Sequence, residues 1–352
     1  MPSHITSSKL NANETALCGG IAGIATRFAI SPLDVIKIRL QLQSQPLSTK
    51  LLFSKQNAKY SGIFHSFKTI VQEEGIRGLF KGNVAAEYLY LTYGISQFYA
   101  YYHMDAFMEK VRIRKEVVSA VILIKFIFQR TQIAPSLKPF VSGMVAGSFA
   151  TAITYPFDLL RTRFAVQGTS KVYKSLSHAI LDINEKEGIK GFYRGLGSSI
   201  IQIMPYMGLM FFSYEGLSSI IQNLKDKQII SDKYNKTENM ICGSLSGIIS
   251  KAGVFPLDVV RKRLQVQGPR ISEYVVSSIP TYSHQTSAIS CMKHIVCTEG
   301  FWALFKGIVP GLLKAGPSGA VYFLVFEFSK DCITRMKENG YDLLPDKPPV
   351  KV

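Results

Sequence analysis

Ser31-Pro32-Leu33-Asp34-Val35-Ile36-Lys37-Ile38-Arg39 ends a long apolar stretch with a proline, an acid and two bases. The pattern returns as Tyr155-Pro156-Phe157-Asp158-Leu159-Leu160-Arg161-Thr162-Arg163 and as Phe255-Pro256-Leu257-Asp258-Val259-Val260-Arg261-Lys262-Arg263. A second pattern follows each copy: Glu74-Gly75 with Phe80-Lys81-Gly82, Glu187-Gly188 with Tyr193-Arg194-Gly195, and Glu299-Gly300 with Phe305-Lys306-Gly307. Such recurrence means one supersecondary unit used three times. Proline lacks a backbone donor and bends a helix, so Pro32, Pro156 and Pro256 are expected to kink three helices at one depth. The acid and the base three positions later share a helix face.

The flanking sequence is apolar over spans of membrane-crossing length, about 20 residues. Windows 88–104, 139–157 and 195–214 contain no Asp, Glu, Lys or Arg, while 15–33, 239–257 and 307–326 contain one base each: Arg27, Lys251 and Lys314. All six are rich in Gly, Ser, Thr and Tyr, as helices that pack closely or line water are. The first helix of each repeat carries a small-xxx-small pair (Gly19/Gly23, Gly143/Gly147, Gly243/Gly247), expected to let backbones approach. Between the two windows of each repeat, apolar positions such as Phe64, Phe67, Ile70 and Val71 predict a short amphipathic helix. The expected division is a tail (1–11), repeat 1 (12–112), a linker (113–134), repeat 2 (135–230), repeat 3 (236–335) and a tail (336–352). Run 117–128, interrupted by Lys125, is too short to span and reads as an interfacial segment. The first fifteen residues lack the apolar core and cleavage site of a secretory signal.

Composition narrows the function classes. The 352 residues are 47% hydrophobic and 18% charged, with 41 Lys and Arg against 24 Asp and Glu, a net charge of +17. That excludes disorder and favours a membrane protein with anionic partners. Five cysteines without a CxxC argue against a disulfide framework or a zinc module. His65, His103, His178, His284 and His294 form no catalytic triad or metal spacing, so neither an enzyme nor a metal or cofactor site is expected. The bases flank or interrupt the spans instead of forming one soluble patch, so nucleic acid is not an expected partner.

Three in-register copies of P-x-D-x-x-[KR]-x-R, each followed by [DE]-G and [FY]-[KR]-G, resemble the mitochondrial carrier family over residues 12–335. The resemblance implies an all-α membrane protein: a three-fold pseudo-symmetric bundle of six transmembrane helices with three short matrix-side helices. It implies a multi-pass protein of the mitochondrial inner membrane, functionally monomeric, with cardiolipin at the matrix-side helix ends. It also implies a matrix gate of Asp34–Arg161, Asp158–Arg261 and Asp258–Lys37. Gln41 and Gln265 stand where the family places a bracing hydrogen bond, and Ala165 leaves the second repeat without one. Taken as wet ion pairs worth about 0–1 kcal/mol each, such pairs bias a gate without locking it. A cytosolic gate is implied near the ends of the even helices, where only Glu215–Lys330 is complete. Glu327 would there face Asp105, so this gate is expected to be weak.

Arg27 and Lys251 each lie five residues before their proline, with Thr151 at the third equivalent position. The family's contact points on the even helices fall on Leu89 with Tyr90, Gln202 with Ile203, and Lys314. Arg27, Lys251 and Lys314 are thus expected to converge on one cavity, unmated until an anionic substrate binds. Tyr90 and Tyr93 share a helical stripe and either stack an aromatic substrate or simply pack. Glu87 lies off that stripe and either meets a substrate cation or pairs with a neighbouring base. Within the family, Lys81-Gly82-Asn83, Leu89-Tyr90-Leu91-Thr92-Tyr93-Gly94 and Gln97-Phe98 are similar to the members that carry thiamine pyrophosphate in fungi. That likeness implies import of this vitamin diphosphate by exchange. A carrier of nucleotides or coenzyme A is the alternative.

Overall fold

The structure, a computed structural model, describes residues 12–44, 59–113, 137–226, 235–276, 280, 282 and 287–338. The expected 117–128 segment and the 1–11 tail lie outside these residues, as do nearly all of the 113–134 linker and most of the 336–352 tail. Among the described residues the fold is all helical, and one order of elements occurs three times. In repeat 1, α1 (Ala12–Leu42) is followed by the short α2 (Gly62–Glu74), a 3₁₀ turn (Ile76–Phe80) and α3 (Asn83–Ile113). Repeat 2 has α4 (Leu137–Ala165), α5 (Leu176–Phe192) and α6 (Leu196–Asp226). In repeat 3, α7 (Asn235–Gly253) and α8 (Phe255–Gln265) lead to α9 (Ala288–Glu299), a 3₁₀ turn (Phe301–Phe305), α10 (Ile308–Leu313) and α11 (Ala315–Glu338).

The prolines act unequally. Pro32 and Pro156 sit inside continuous helices. At Pro256 the helix breaks: α7 stops at Gly253, Val254 leaves helical geometry, and Pro256 falls in the first turn of α8, where its missing N–H costs nothing. The break between α10 and α11 falls at Lys314, three residues before Pro317, so the ring of that proline explains it.

At 31 residues, α1, α3 and α6 are each about 46 Å long at 1.5 Å per residue. Large apolar side chains point outward along them at helical spacing: Leu17, Ile21, Ile24 and Phe28 on α1, Leu91 and Ile95 on α3. A soluble protein would bury such a stripe. Two stretches, Leu176–Lys225 and Phe301–Lys337, contain helices long and apolar enough to cross a membrane. The helices pack in ring order, α1 on α3, α3 on α4, α4 on α6, α6 on α7 and α8, and α11 on α1.

The buried core sits at the end of the ring closed by α2, α5 and α9. It includes Val35, Ile36, Leu42, Ile70, Leu159, Ile183 and Val266. Close backbone approach also occurs here. A Cβ on Gly82, which has φ +84°, would stand 2.6 Å from the Arg161 carbonyl oxygen, and one on Gly307 would stand 3.0 Å from that of Lys37. The small-xxx-small glycines behave differently from expectation. Gly19 and Gly147 abut the hydroxyls of Tyr322 and Tyr93, whereas a Cβ on Gly23, Gly243 or Gly247 would meet nothing within 4 Å.

Candidate functional site: a cation-rich cavity above an ion-pair layer

The repeated motif brings its acids and bases together across the repeats. Lys37 Nζ lies 2.5 Å from Asp258 Oδ2, Arg261 Nη2 lies 2.7 Å from Asp158 Oδ2, and Arg161 Nη2 donates to Asp34. Gln41 Nε2 donates to Asp258 Oδ2 at 3.1 Å, and Gln265 Nε2 donates to Asp158. These side chains are only 7–20% exposed, so the pairs are not the wet contacts the sequence suggested. For a largely buried pair, removing one partner strands a charge and costs about 3–5 kcal/mol.

Two members of this layer were missed in the sequence. Lys262 Nζ lies 3.2 Å from both Asp158 oxygens, 2.9 Å from Thr162 Oγ and 3.0 Å from Gln265 Oε1. A signal existed, because aligning the repeats puts Ile38, Thr162 and Lys262 at one position and only the third is charged. Where Ala165 leaves Asp34 without a glutamine, Lys314 Nζ approaches Asp34 Oδ1 to 2.7 Å.

A second layer ties the loop helices to the motif's last base. Arg39 grips Glu74 with two nitrogens, and Arg163 and Arg263 hold Glu187 and Glu299 in the same way. Each also reaches into the next repeat: Arg39 donates to the Ala165 and Gln167 carbonyls, Arg163 to those of Gln265 and Gln267, and Arg263 to those of Gln41 and Gln43. The threefold recurrence of this Arg with the Glu before Gly is the signal in the sequence for this layer.

Outside the long helices, Asp182 of α5 takes a bidentate contact from Arg270 (2.7 and 2.8 Å). This hydrogen bond outweighs the effect of burial and, with help from Lys186, pulls the Asp182 carboxyl down to about 2. Burial acts to raise the Glu74 carboxyl, but the Arg39 hydrogen bond and charge overcome it and hold it low. A carboxyl depressed in the folded state adds stability above its unfolded value, and that stability is lost as pH falls through the folded value. The unfolding temperature of the detergent-solubilised protein is therefore expected to be flat near neutrality and to fall between about pH 4 and pH 2. In Asp182→Asn the fall should be shallower, and an identical pH profile would contradict the assignment.

Above the ion-pair layer lies a cavity of about 310 Å³, within the range of small-molecule sites. Its wall holds Asp34, Asp158 and Asp258 with Lys37, Arg161, Arg261, Lys262 and Lys314, five bases against three acids. Of the expected substrate contacts, Leu89, Tyr90, Tyr93 and Lys314 line it, as does Thr151. Arg27 lies beside it, its guanidinium 3.4 Å from the centre of the Tyr90 ring, and Arg161 Nη1 donates to the Tyr90 hydroxyl at 3.1 Å. One Tyr90 face is therefore already taken by a cation. Lys251, Gln202 and Ile203 are half-buried and lie outside this cavity wall. The Gln202 Oε1 is buried without a hydrogen bond among the described residues.

The expectation of three unmated cations is thus corrected. Lys314 holds Asp34 and Arg27 covers Tyr90, because a cation in a poorly solvated wall pairs with the nearest carboxylate or π face. Among the described residues only Lys251 of the three makes no ion pair within 4 Å and no ring contact, though the charges of Asp258 and Asp34 act on it from further off. Glu87 accepts from Asn83 at 3.5 Å, with no base within 4 Å among the described residues.

At the opposite end, the expected Glu215–Lys330 pair is not formed. Glu215 is exposed, and Lys330 instead approaches Glu327 at 3.5 Å on its own helix, both exposed. Three residues apart on one helix, Glu327 lies within easy reach of Lys330. Asp105 lies where side chains are outside the described residues. A pair the sequence did not suggest, Glu14–Lys337 at 2.8 Å, ties α1 to α11.

The family model for mitochondrial carrier proteins matches residues 8–112, 133–225 and 232–337, and the chain belongs to the mitochondrial carrier family. Its relatives include the mitochondrial thiamine pyrophosphate carrier 1 of Aspergillus oryzae, 43% identical over 90% of this chain and 92% of the relative. The protein of the same name from Neosartorya fischeri is 41% identical over 90% and 92%. That from Phaeosphaeria nodorum is 38% identical over 94% and 95%.

Proposed function

We propose that this chain is a carrier of thiamine pyrophosphate, importing it into the matrix by exchange through an alternating-access cavity. The observation that carries the reading is the excess of five bases over three acids in one central cavity. A diphosphate supplies the missing negative charge through charge-assisted hydrogen bonds. The relatives named as thiamine pyrophosphate carriers, 38–43% identical over most of the chain, supply the substrate's identity.

In this reading the helices form six spans with three-fold pseudo-symmetry, multi-pass in the mitochondrial inner membrane, with both tails on one face. The helix lengths, the outward apolar stripes and the threefold element order support it. Lipid, including cardiolipin, meets the loop-helix ends, and one chain is the working unit. Arg27, Lys251 and Lys314 are the anion contacts, with Leu89, Tyr90, Tyr93, Gln202 and Ile203 around them. Asp34, Lys37, Asp158, Arg161, Asp258 and Arg261 form the matrix gate, braced by Gln41 and Gln265. Glu215, Glu327 and Lys330 belong to the cytosolic gate, which stands open in this state. Pro32, Pro156 and Pro256 set the helix geometry at the gate. When the diphosphate binds, Lys314 exchanges Asp34 for a phosphate oxygen and weakens the hold on Asp34.

A ligand that binds only the folded protein stabilises it by about 2.7 kcal/mol at a hundred times its Kd. Thiamine pyrophosphate is expected to raise the unfolding temperature of the detergent-solubilised protein by several degrees, and unphosphorylated thiamine is not. A rise with ATP or coenzyme A and none with thiamine pyrophosphate would overturn the substrate assignment.

A further inference from the structure

Three tyrosines, Tyr90, Tyr93 and Tyr155, line the central cavity, and their rings are differently engaged. Tyr155 is spent on packing. Its ring stacks on Tyr193 with centroids 6.3 Å apart, its hydroxyl donates to the Arg194 carbonyl at 2.7 Å, and the Arg261 guanidinium stands 5.6 Å from its centre. Tyr90 carries Arg27 at 3.4 Å from its ring centre and accepts at its hydroxyl from Arg161 at 3.1 Å. Tyr93 follows one turn along α3, away from the loop-helix end. A Cβ on Gly147 of α4 would stand 3.8 Å from its hydroxyl, yet its ring makes no aromatic or cation contact among the described residues.

Arg27 is held by its face alone. A guanidinium laid on a ring keeps the N–H donors along its edge available. Those donors meet no acceptor among the described residues, and no carboxylate lies within 4 Å, although the charge of Glu87 acts from further off. A loose arginine gives up rotamer freedom when it grips an anion, whereas one already seated on a ring has given it up beforehand. Counting from the Gly after [FY]-[KR], the equivalents of Tyr90 are Ile203 and Ala315, and those of Arg27 are Thr151 and Lys251. Arginine and ring occur together at these positions in repeat 1 alone.

We infer that the two tyrosines of the α3 stripe divide the substrate between them: Tyr90 is a positioning residue that holds Arg27 ready for the diphosphate, and Tyr93 takes the aromatic ring and selects for it. The inference rests on the thiamine pyrophosphate reading above. Arg27 occupies one Tyr90 face and the Arg161 guanidinium stands 5.7 Å from the same ring centre, so a thiazolium brought to the other face would be a third cation around one ring. Tyr93 carries no such charge. It lies about 4.5 Å further along the helix axis, at 1.5 Å per residue, which leaves the diphosphate on the side of Arg27 and Lys314.

Two probes separate the roles: thiamine pyrophosphate, and inorganic pyrophosphate, which has the anion without the ring. Affinities of the detergent-solubilised protein for each are read from the concentration dependence of its unfolding temperature. Tyr93→Leu is expected to weaken thiamine pyrophosphate about tenfold and to change pyrophosphate by less than about twofold. Tyr90→Leu is expected to weaken both by the same factor, about tenfold, and Tyr90→Phe, which restores the ring, to recover pyrophosphate affinity to within about twofold. In an Arg27→Ala background, Tyr90→Leu should change pyrophosphate affinity by less than about twofold, because the group it positions is gone. The ratio of the two affinities within one variant does not depend on how much of that variant is folded, so a folding defect does not imitate these results. Loss of thiamine pyrophosphate alone in Tyr90→Leu, an undiminished effect of Tyr90→Leu without Arg27, or unchanged thiamine pyrophosphate binding by Tyr93→Leu would overturn the inference. Should wild-type protein bind pyrophosphate and not thiamine pyrophosphate, the substrate reading falls by itself, and the role of Tyr90 is still decided on pyrophosphate.

Discussion

Asp158→Arg is expected to reduce exchange by roughly two orders of magnitude or more, the largest loss of any single substitution at the matrix end. Asp158 accepts from Arg261, Lys262 and Gln265, so reversing its charge places three cations together in a largely buried site. One-sided loss of a buried pair costs about 3–5 kcal/mol. Adding Arg261→Asp restores one opposite pair and should recover part of the activity, the coupling that a double-mutant cycle isolates. Recovery should stay incomplete because Lys262 remains; Lys262→Thr, the residue of the equivalent repeat 2 position, should improve it further. Exchange by the three variants is measured in liposomes after membrane insertion has been matched. Absence of any rescue by Arg261→Asp would count against the pairing.

Lys314→Ala is expected to lower thiamine pyrophosphate affinity by roughly one to two decades, the worth of a charge-assisted contact of about 1.5–3 kcal/mol. It should also lower the unfolding temperature of the ligand-free protein, because Lys314 there holds Asp34 at 2.7 Å. Lys251→Ala provides the contrast. Lys251 has no carboxylate within 4 Å among the described residues, only the more distant charges of Asp258 and Asp34, so its loss should weaken exchange and cost less ligand-free stability than loss of Lys314. Full exchange by Lys314→Ala would remove this residue from the site.

The sequence disclosed what repeats. The three Pro-x-Asp motifs, the loop helices and the glycines after them recur in register, and recurrence alone separates them from chance. The partners of Asp34, Asp158 and Asp258 followed from the family likeness. What does not repeat stayed hidden. Lys262 occupies a position held by Ile38 and Thr162 elsewhere, and Arg270 meets an aspartate 88 residues earlier only through the folded seam. Lys314 was read as a substrate contact but not as a partner of Asp34, because that contact spans 280 residues and fills a gap left by Ala165. Glu215 and Lys330 show a different limit. A gate pair exists in one conformational state, and a sequence does not say which state is populated.

The most direct measurement is a side-by-side exchange assay in liposomes with internal thiamine pyrophosphate, offering labelled thiamine pyrophosphate or labelled thiamine outside. The two share the aromatic ring and the thiazolium and differ by the diphosphate, the group proposed to meet the excess of bases over acids in the cavity. Rapid exchange of the diphosphate, with thiamine slower by about two decades, is the predicted result. Equal rates for the two would contradict the account, since the cavity's positive charge would then have no part in selecting what is carried.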